Sequence, residues 1–260
     1  MNYQELLPKK PRLFGSSVKT EKGQKYGVDT AILYLAPANY SVPLGGMEVC
    51  APSASTRCSC RKGCLGTISG RLTMSSARKA QIWKTLLLTQ DPQLFWDMAA
   101  NEIWNHERLC HRKGKIPAVR LNGSSDLPLS CTVNLAAQFP KVHFYDYTKR
   151  LSSILYLALR RDRNPTDKAY SLQNVDLTFS WSRAHNHKAL HAIAKGFNVA
   201  VVFEKTIPET FLGWPVIDGD VSDVRFVDPV PCIVGLRWKG SRKYLEAQRN
   251  AENPFVVFQD

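Results

Sequence analysis

The fold predicted for this chain depends above all on the stretch PAVRLNGSSDLPLSCTVNLAAQFPKVHFYDYT, Pro117 to Thr148. Pro117 to Asp126 is predicted to form a strand that ends in a polar loop, and Leu127 to Phe139 a helix. Lys141 to Thr148 follows as a second strand rich in aromatic residues. A strand, a helix and a strand in succession are typical of a βαβ unit, which places two parallel strands side by side through a right-handed crossover.

The same alternation continues on both sides of this stretch. Further strands are predicted at Ala31–Ala36, Val175–Ser182, Asn198–Lys205, Ile233–Trp238 and Pro254–Phe258. Residues 71–113 predict two helices, and Asp91-Pro92 is a helix-start signal because aspartate caps a helix and proline fits its first turn. Alternating strands and helices predict an α/β fold with a parallel sheet, and we expect a (β/α) barrel-like sheet, closed or partly closed. An open doubly wound sheet is the alternative, although no GxGxxG or P-loop motif supports a nucleotide site there.

Length and composition limit the domain organisation. The 260 residues allow one large domain, because a (β/α) barrel needs about 250 residues. We expect a basic N-terminal arm over 1–25 and a single domain over 26–260 that includes a cysteine-rich loop, 50–64. A content of 44% hydrophobic and 22% charged residues excludes a disordered chain. No apolar run reaches the roughly 18 residues of a membrane span, and the N-terminus lacks the apolar core of a secretory signal, which favours a cytoplasmic location.

The cysteine-rich loop, CAPSASTRCSCRKGC, carries the sharpest chemical signal. Its cysteines are Cys50, Cys58, Cys60 and Cys64. Four thiolates match the ligand count of a [4Fe–4S] cluster or of a structural zinc ion. The C-x7-C-x-C-x3-C spacing contains no C-x2-C pair of the kind that zinc knuckles use, which favours the cluster. Arg57, Arg61 and Lys62 would offset the negative charge of four thiolates.

Other ligand sets remain open. Four reduced, unliganded cysteines are one alternative. The C-x3-C-x2-C spacing of radical S-adenosylmethionine enzymes is absent, and a fourth local cysteine indicates a closed cluster. If Cys50 is not a ligand, the other three would leave one iron open. Cys110 and Cys131 are interpreted as small apolar residues of the core, and Cys232 as a packing residue or a remote ligand.

Polar residues follow the predicted strands and indicate a ligand site. In α/β barrels the loops at the carboxyl ends of the strands build the functional site. The candidate ligand-binding residues are Arg120, Asn122, Asp126, Tyr147 and Lys149. Helix capping is the alternative for Asp126, Thr148 and Ser182. His187 and His191 lie four residues apart without the glutamate of an HExxH motif, so we expect them to be solvated.

The chain carries a formal net charge of +13, which favours phosphates, acidic partners or anionic lipid, and we expect a small anionic ligand or a redox partner. Because the charge is dispersed, it identifies no partner by itself, and nucleic acid remains one candidate.

The stretches VRLNGSSD, FPKVHFYDYTKR, LTFSWS and VVFEK resemble the gene product 88-like family of bacteriophage proteins. The resemblance extends from about Cys50 to Lys239, and Arg120, Asn122, Tyr147, Thr148 and Lys149 match the family pattern. It implies a phage-encoded protein of the host cytoplasm, with a barrel-like fold, a metal centre and a largely unassigned function. The C-x-C pair and the lack of a further cysteine cluster near the C-terminus depart from that pattern.

These observations predict an iron–sulfur protein on a barrel scaffold, with a redox or ligand-binding role and an undetermined catalytic activity. One alternative is a radical or redox enzyme whose open cluster iron acts on a small anionic substrate. The other is a zinc-stabilised protein that binds nucleic acid.

Overall fold

The computed structural model describes residues 1–16, 23–50, 64, 72, 74–251 and 254–259. The strands are β1 (Phe14–Gly15), β2 (Val28–Leu33), β3 (Ile116–Arg120), β4 (His143–Thr148), β5 (Val175–Ser180), β6 (Val199–Phe203), β7 (Thr210–Phe211), β8 (Trp214–Asp218), β9 (Ile233–Arg237) and β10 (Val256–Val257). The helices are α1 (Ala38–Ser41), α2 (Ser75–Gln90), α3 (Pro92–Arg112), α4 (Leu129–Gln138), α5 (Leu151–Arg163), α6 (Lys168–Ser171), α7 (Asn186–Ala194) and α8 (Arg242–Arg249).

All ten strands belong to one mostly parallel sheet, in the order β1-β2-β3-β4-β5-β6-β9-β8-β7, with β10 beside β6. The pairs β1–β2 and β7–β8, at the two ends of the sheet, are antiparallel. The α/β class and the parallel sheet are therefore confirmed. The sheet is open: β1 and β7 lie at its two ends, so the closed form of the expected barrel is not observed.

The helices of the βα units cover one face of the sheet. Strands β2 to β6 are neighbours in chain order, and right-handed crossovers between strands that advance in one direction place their helices on the same side. Alternate strand residues such as Val119, Phe144 and Val201 share the main core with Ile154 and Ile193 of the helices. This layer buries most of the apolar surface of the molecule.

The opposite face is covered by the chain after β8. Because β9 inserts between β6 and β8, the β8–β9 crossover reverses direction, and a right-handed connection must then pass over the other face. Val224 and Phe226 of this segment pack on Val28, Ala118 and Tyr145. We call residues 219–231 the covering segment. It brings polar residues that are remote in sequence onto strands β3 and β4.

The C-terminal strand β10 pairs with β6 on the same side as β5, at the point where β5 has ended. Ser180 pairs with Ala200, and Val256 then pairs with Val202 further along the same strand. The Arg183 amide donates to the Pro254 carbonyl at 3.2 Å, where the segment after β5 meets the segment before β10. The C-terminus is thus fixed at the carboxyl edge of the sheet.

The N-terminal residues pack against the first helical pair. Leu13 is fully buried, and the amides of Leu13 and Phe14 donate to the Glu102 carboxylate at 2.8 and 3.0 Å. Part of the basic segment 1–25 therefore belongs to the folded unit.

The helix-start signal at Asp91-Pro92 is confirmed. Asp91 Oδ1 accepts a hydrogen bond from the Leu94 amide at 3.0 Å, and Pro92 occupies the first turn of α3. This cap satisfies one of the amides that a helix N-terminus leaves without an intrahelical partner.

We predict that Asp91→Ala lowers the free energy of unfolding by about 1 kcal/mol, because the cap of α3 is lost. Chemical denaturation followed by circular dichroism measures this change. Asn134→Ala, on the exposed side of α4, is the control and should stay within about 0.5 kcal/mol of the parent. Equal stabilities of Asp91→Ala and the parent would contradict the role of the cap.

Candidate functional site

The loop after β3 is fastened to the end of β4 by the buried Asp126. Thr148 Oγ1 donates to Asp126 Oδ1 at 2.7 Å, and the Lys149 amide donates to Oδ2 at 2.9 Å. Burial raises the pKa of Asp126, whereas these two hydrogen bonds and the nearby Arg150 and Lys149 oppose the rise. Neither Asp126 nor Thr148 caps a helix, since the cap positions of α4 and α5 are Pro128 and Arg150. For Asp126 and Thr148 the capping alternative is therefore wrong, because their side chains join the loop after β3 to the end of β4.

Asn122 organises the same loop from within. Its Oδ1 accepts hydrogen bonds from Ser125 Oγ at 2.9 Å and from the Leu127 amide at 2.8 Å. Its Nδ2 donates to the Leu127 carbonyl at 3.3 Å. These bonds engage the polar end of the side chain within the loop.

Asp146 forms a second link between β4 and the end of β3. Its two carboxylate oxygens accept the amides of Leu121 and Asn122, each at 3.0 Å, and Arg120 Nε lies 3.9 Å from Oδ1. Burial raises the pKa of Asp146 to about 7, against the opposing influence of Arg120 and the two amides. A carboxyl group with this pKa can hold or release a proton near neutral pH.

Arg120 lies on the face of the sheet opposite the helices, between two tyrosines and an aspartate. Its Nη1 is 2.9 Å from Asp223 Oδ2, and its guanidinium carbon lies 5.5 Å from the Tyr145 ring centre and 5.3 Å from that of Tyr147. Burial raises the pKa of both tyrosines to about 12, although Arg120 counteracts it in each case. The arginine is held by an ion pair and by aromatic faces at once.

The covering segment contributes a second buried arginine that sequence reasoning missed. Arg225 is 3% exposed, its Nε lies 3.2 Å from Asp228 Oδ2, and its guanidinium also bonds the Ser222 carbonyl. Burial raises the pKa of Asp228 to about 6, and Arg225 opposes this. The stretch SDVRFVD has no strand or helix periodicity. No local pattern in the sequence therefore identifies it.

Lys149 connects the end of β4 to the end of β5. Its Nζ donates to Ser180 Oγ at 2.9 Å and to the Ser180 carbonyl at 3.2 Å, and it lies 4.6 Å from the centre of the Phe255 ring. The C-terminal strand therefore supplies one wall around this ammonium group.

The structure separates the five predicted ligand-binding residues into three groups. Arg120 and Tyr147 come together on the face away from the helices, with Tyr147 half-buried. Asn122 and Asp126 fasten the loop after β3. Lys149 stands at the carboxyl edge, toward β5. Their binding of a ligand stays a prediction.

The start of the cysteine-rich loop is attached to this same edge. The Asp126 amide donates to the Val49 carbonyl at 2.7 Å, and Arg150 Nη2 donates to the Cys50 carbonyl at 3.0 Å. Arg150 Nε also donates to the Asp126 carbonyl at 2.6 Å. Cys50 and Cys64 are half-buried, whereas Cys58 and Cys60 lie outside the described residues.

The remaining cysteines and histidines follow the sequence predictions with one exception. Cys110 and Cys232 are buried, but Cys131 is exposed, because it lies on the outward side of α4. His187 and His191 are exposed as expected. In the part of the chain that the structure describes, no group of three or more His, Cys, Asp or Glu side chains is placed to hold a metal ion.

These features define a mostly parallel α/β protein with a polar carboxyl edge from which a cysteine-rich segment begins. The family model described as Gene product 88 matches residues 12–252, and the chain belongs to this family. The resemblance seen in the sequence is thereby confirmed. No curated protein and no solved structure matches the chain. In the described ranges, no helix is both long enough and apolar enough to cross a membrane.

We predict that breaking the buried Arg120–Asp223 pair from one side is costly. Arg120→Leu should lower the free energy of unfolding by about 3–5 kcal/mol, because it leaves Asp223 buried without its charge partner. The double variant Arg120→Leu/Asp223→Leu should be more stable than the two single changes predict by summation, by about 0.5–3 kcal/mol. Urea denaturation of the four proteins measures this coupling.

The exposed pair Arg242–Glu246, with a nitrogen–oxygen distance of 3.1 Å, provides the matched control. Arg242→Leu should change stability by about 0.5 kcal/mol or less. A purely additive double-mutant cycle at Arg120 and Asp223 would show that the pair does not hold the covering segment.

Proposed function

We propose that this protein binds a [4Fe–4S] cluster through Cys50, Cys58, Cys60 and Cys64, at the carboxyl edge of its mostly parallel sheet. The observation that carries the proposal is the attachment of Val49 and Cys50 to Asp126 and Arg150. These contacts start the cysteine-rich loop at the edge where α/β proteins place their sites.

The donor set suits such a cluster. Cysteine binds iron as thiolate, and neighbouring cations favour deprotonation of the thiol. The guanidinium of Arg150 bonds the Cys50 carbonyl directly, and Arg57, Arg61 and Lys62 stand between the cysteines in the sequence. When bound, the cluster would supply one-electron chemistry or a fixed anchor for the loop.

The residues beside the cysteine-rich loop support a role for a small anionic ligand or a redox partner. Lys149 places an ammonium group at the carboxyl ends of β4 and β5. The half-buried Tyr147 beside Arg120 is a neutral hydrogen-bonding group, since burial raises the pKa of Tyr147 to about 12. In this proposal Lys149 binds an anionic group at the carboxyl edge, and Tyr147 offers a hydrogen bond on the face away from the helices.

A radical or redox enzyme with an open cluster iron is the second candidate. Cys58, Cys60 and Cys64 fall within seven residues, whereas Cys50 lies at the separately fastened start of the loop. Ligation by those three alone would leave one iron free for a small anionic substrate. A structural zinc ion in a protein that binds nucleic acid is the third candidate, and it predicts no iron.

We predict that anaerobically purified parent protein contains about four iron and four sulfide ions per chain, with brown visible absorption. Cys58→Ala should lose most of this iron, because a cluster ligand is removed. Cys131→Ala removes an exposed cysteine of α4 and should keep the full iron content. Iron, sulfide and zinc determination on each protein measures the effect.

Cys50→Ala separates a closed cluster from an open one. Loss of the cluster would support four-cysteine ligation, whereas retention with a spectrum that shifts on addition of S-adenosylmethionine would support the open iron. One zinc ion and no iron in the parent, or full iron in Cys58→Ala, would contradict the proposed function.

A further inference from the structure

A groove opens at the amino-terminal edge of the sheet, away from the cysteine-rich loop. Helix α3 ends at Arg112 shortly before β3 begins, and Lys141 precedes β4, so both residues lie where the strands start. The groove is shallow and open to solvent, with a volume of about 390 Å³. It is lined by Trp104, Glu107, Arg108, His111, Arg112 and Lys141.

Trp104 presents its indole to this groove. All six tryptophans lie in the described residues, and Trp104 is the most exposed of them, at 49%. By contrast, Trp83 and Trp181 are only 1% and 6% exposed. The guanidinium carbon of Arg108 lies 4.4 Å from the Trp104 ring centre, which keeps the two planar groups together. The indole, packed with the Arg108 guanidinium, therefore offers a planar apolar surface to the solvent beside basic side chains.

The charge around the tryptophan is mainly positive and comes from two elements. Arg108 and Arg112 belong to α3, and Lys141 belongs to the connection between α4 and β4. Glu107 is the one acidic residue of the lining and lies 3.7 Å from His111. Favourable interaction with the helix dipole explains Arg112 and His111 at the end of α3. It explains neither the exposed tryptophan nor the lysine from another element.

We infer that this groove binds single-stranded nucleic acid, with a base stacked on the Trp104–Arg108 pair and phosphates bound by Arg112 and Lys141. Aromatic platforms combined with basic grooves are how proteins bind single strands. A duplex keeps its bases stacked inside the helix, so an exposed indole gains little from it. The groove lies at the opposite edge of the sheet from Val49 and Cys50, so the inference does not rest on the proposed cluster.

Fluorescence anisotropy with a labelled oligothymidylate tests the inference. Trp104→Ala should weaken binding about tenfold or more, since one base–aromatic stack contributes about 1–3 kcal/mol. Trp104→Phe should recover part of the affinity, because a smaller ring still stacks. Arg112→Ala should also reduce the slope of log affinity against log salt by about 0.7, which corresponds to one lost phosphate contact on a single strand.

Two charge reversals form the matched control. Arg112→Glu and Arg242→Glu change the net charge equally, but Arg242 is exposed on α8, far along the chain from the groove. We expect strong loss of binding for Arg112→Glu and less than a threefold effect for Arg242→Glu. Any of four results would overturn the inference. They are full affinity in Trp104→Ala, equal losses in both charge reversals, equal binding of duplex DNA, and no binding by the parent. Displacement of the oligonucleotide by polyphosphate at equal phosphate concentration would overturn the stacking part.

Discussion

The ion pair between Arg120 and Asp223 is the interaction on which the organisation of the sheet depends. It joins β3, in the part of the sheet that carries the helices, to the covering segment that returns from β8. The two side chains are only 9% and 13% exposed, so removing one of them leaves a poorly solvated charge on the other. The pair therefore fixes where the covering segment lies, and with it the position of Val224 and Phe226 on Tyr145.

A second constraint acts at the carboxyl edge. Asp126 and Asp146 both accept backbone amides from a neighbouring strand end, and each joins β3 to β4. A parallel sheet leaves the backbone groups of its strand ends without ladder partners, and these carboxylates satisfy several of them. The same loop then fastens Val49, so the cysteine-rich loop starts from a rigid edge.

The sequence predicted the elements that have a clear periodicity. The strands from Val175 and from Val199 and the helix start at Asp91 were within reach because alternation, buried apolar runs and caps are local signals. The openness of the sheet could not be predicted in this way, because it depends on the insertion of β9 between β6 and β8. That insertion pairs residues that are distant in the chain. The short strand β8 and helix α8 lack a strong apolar pattern and were missed.

The candidate site divides in the same way. The polar residues after β3 and β4 were visible as a group, but their roles depend on partners elsewhere in the chain. Arg120 meets Asp223 more than a hundred residues later, and Lys149 meets Phe255, the residue before the C-terminal strand. Asp126 was interpreted as a ligand or a cap and instead joins the loop after β3 to the end of β4, since its partners become neighbours only in the folded sheet.

We propose that the cysteine-rich loop, with a bound metal, docks on the carboxyl edge of the sheet where Val49 and Cys50 are attached. Amide hydrogen exchange of the anaerobic protein, before and after chelation of the metal, tests this most directly. If the loop docks in this way, amide exchange becomes faster after metal removal at Asp126 and at Lys149. The Asp126 amide donates to the Val49 carbonyl, and the Lys149 amide donates to the Asp126 carboxylate. Exchange at Leu245 in α8 should stay the same. Unchanged exchange at Asp126 and Lys149, with the metal fully removed, would contradict the claim.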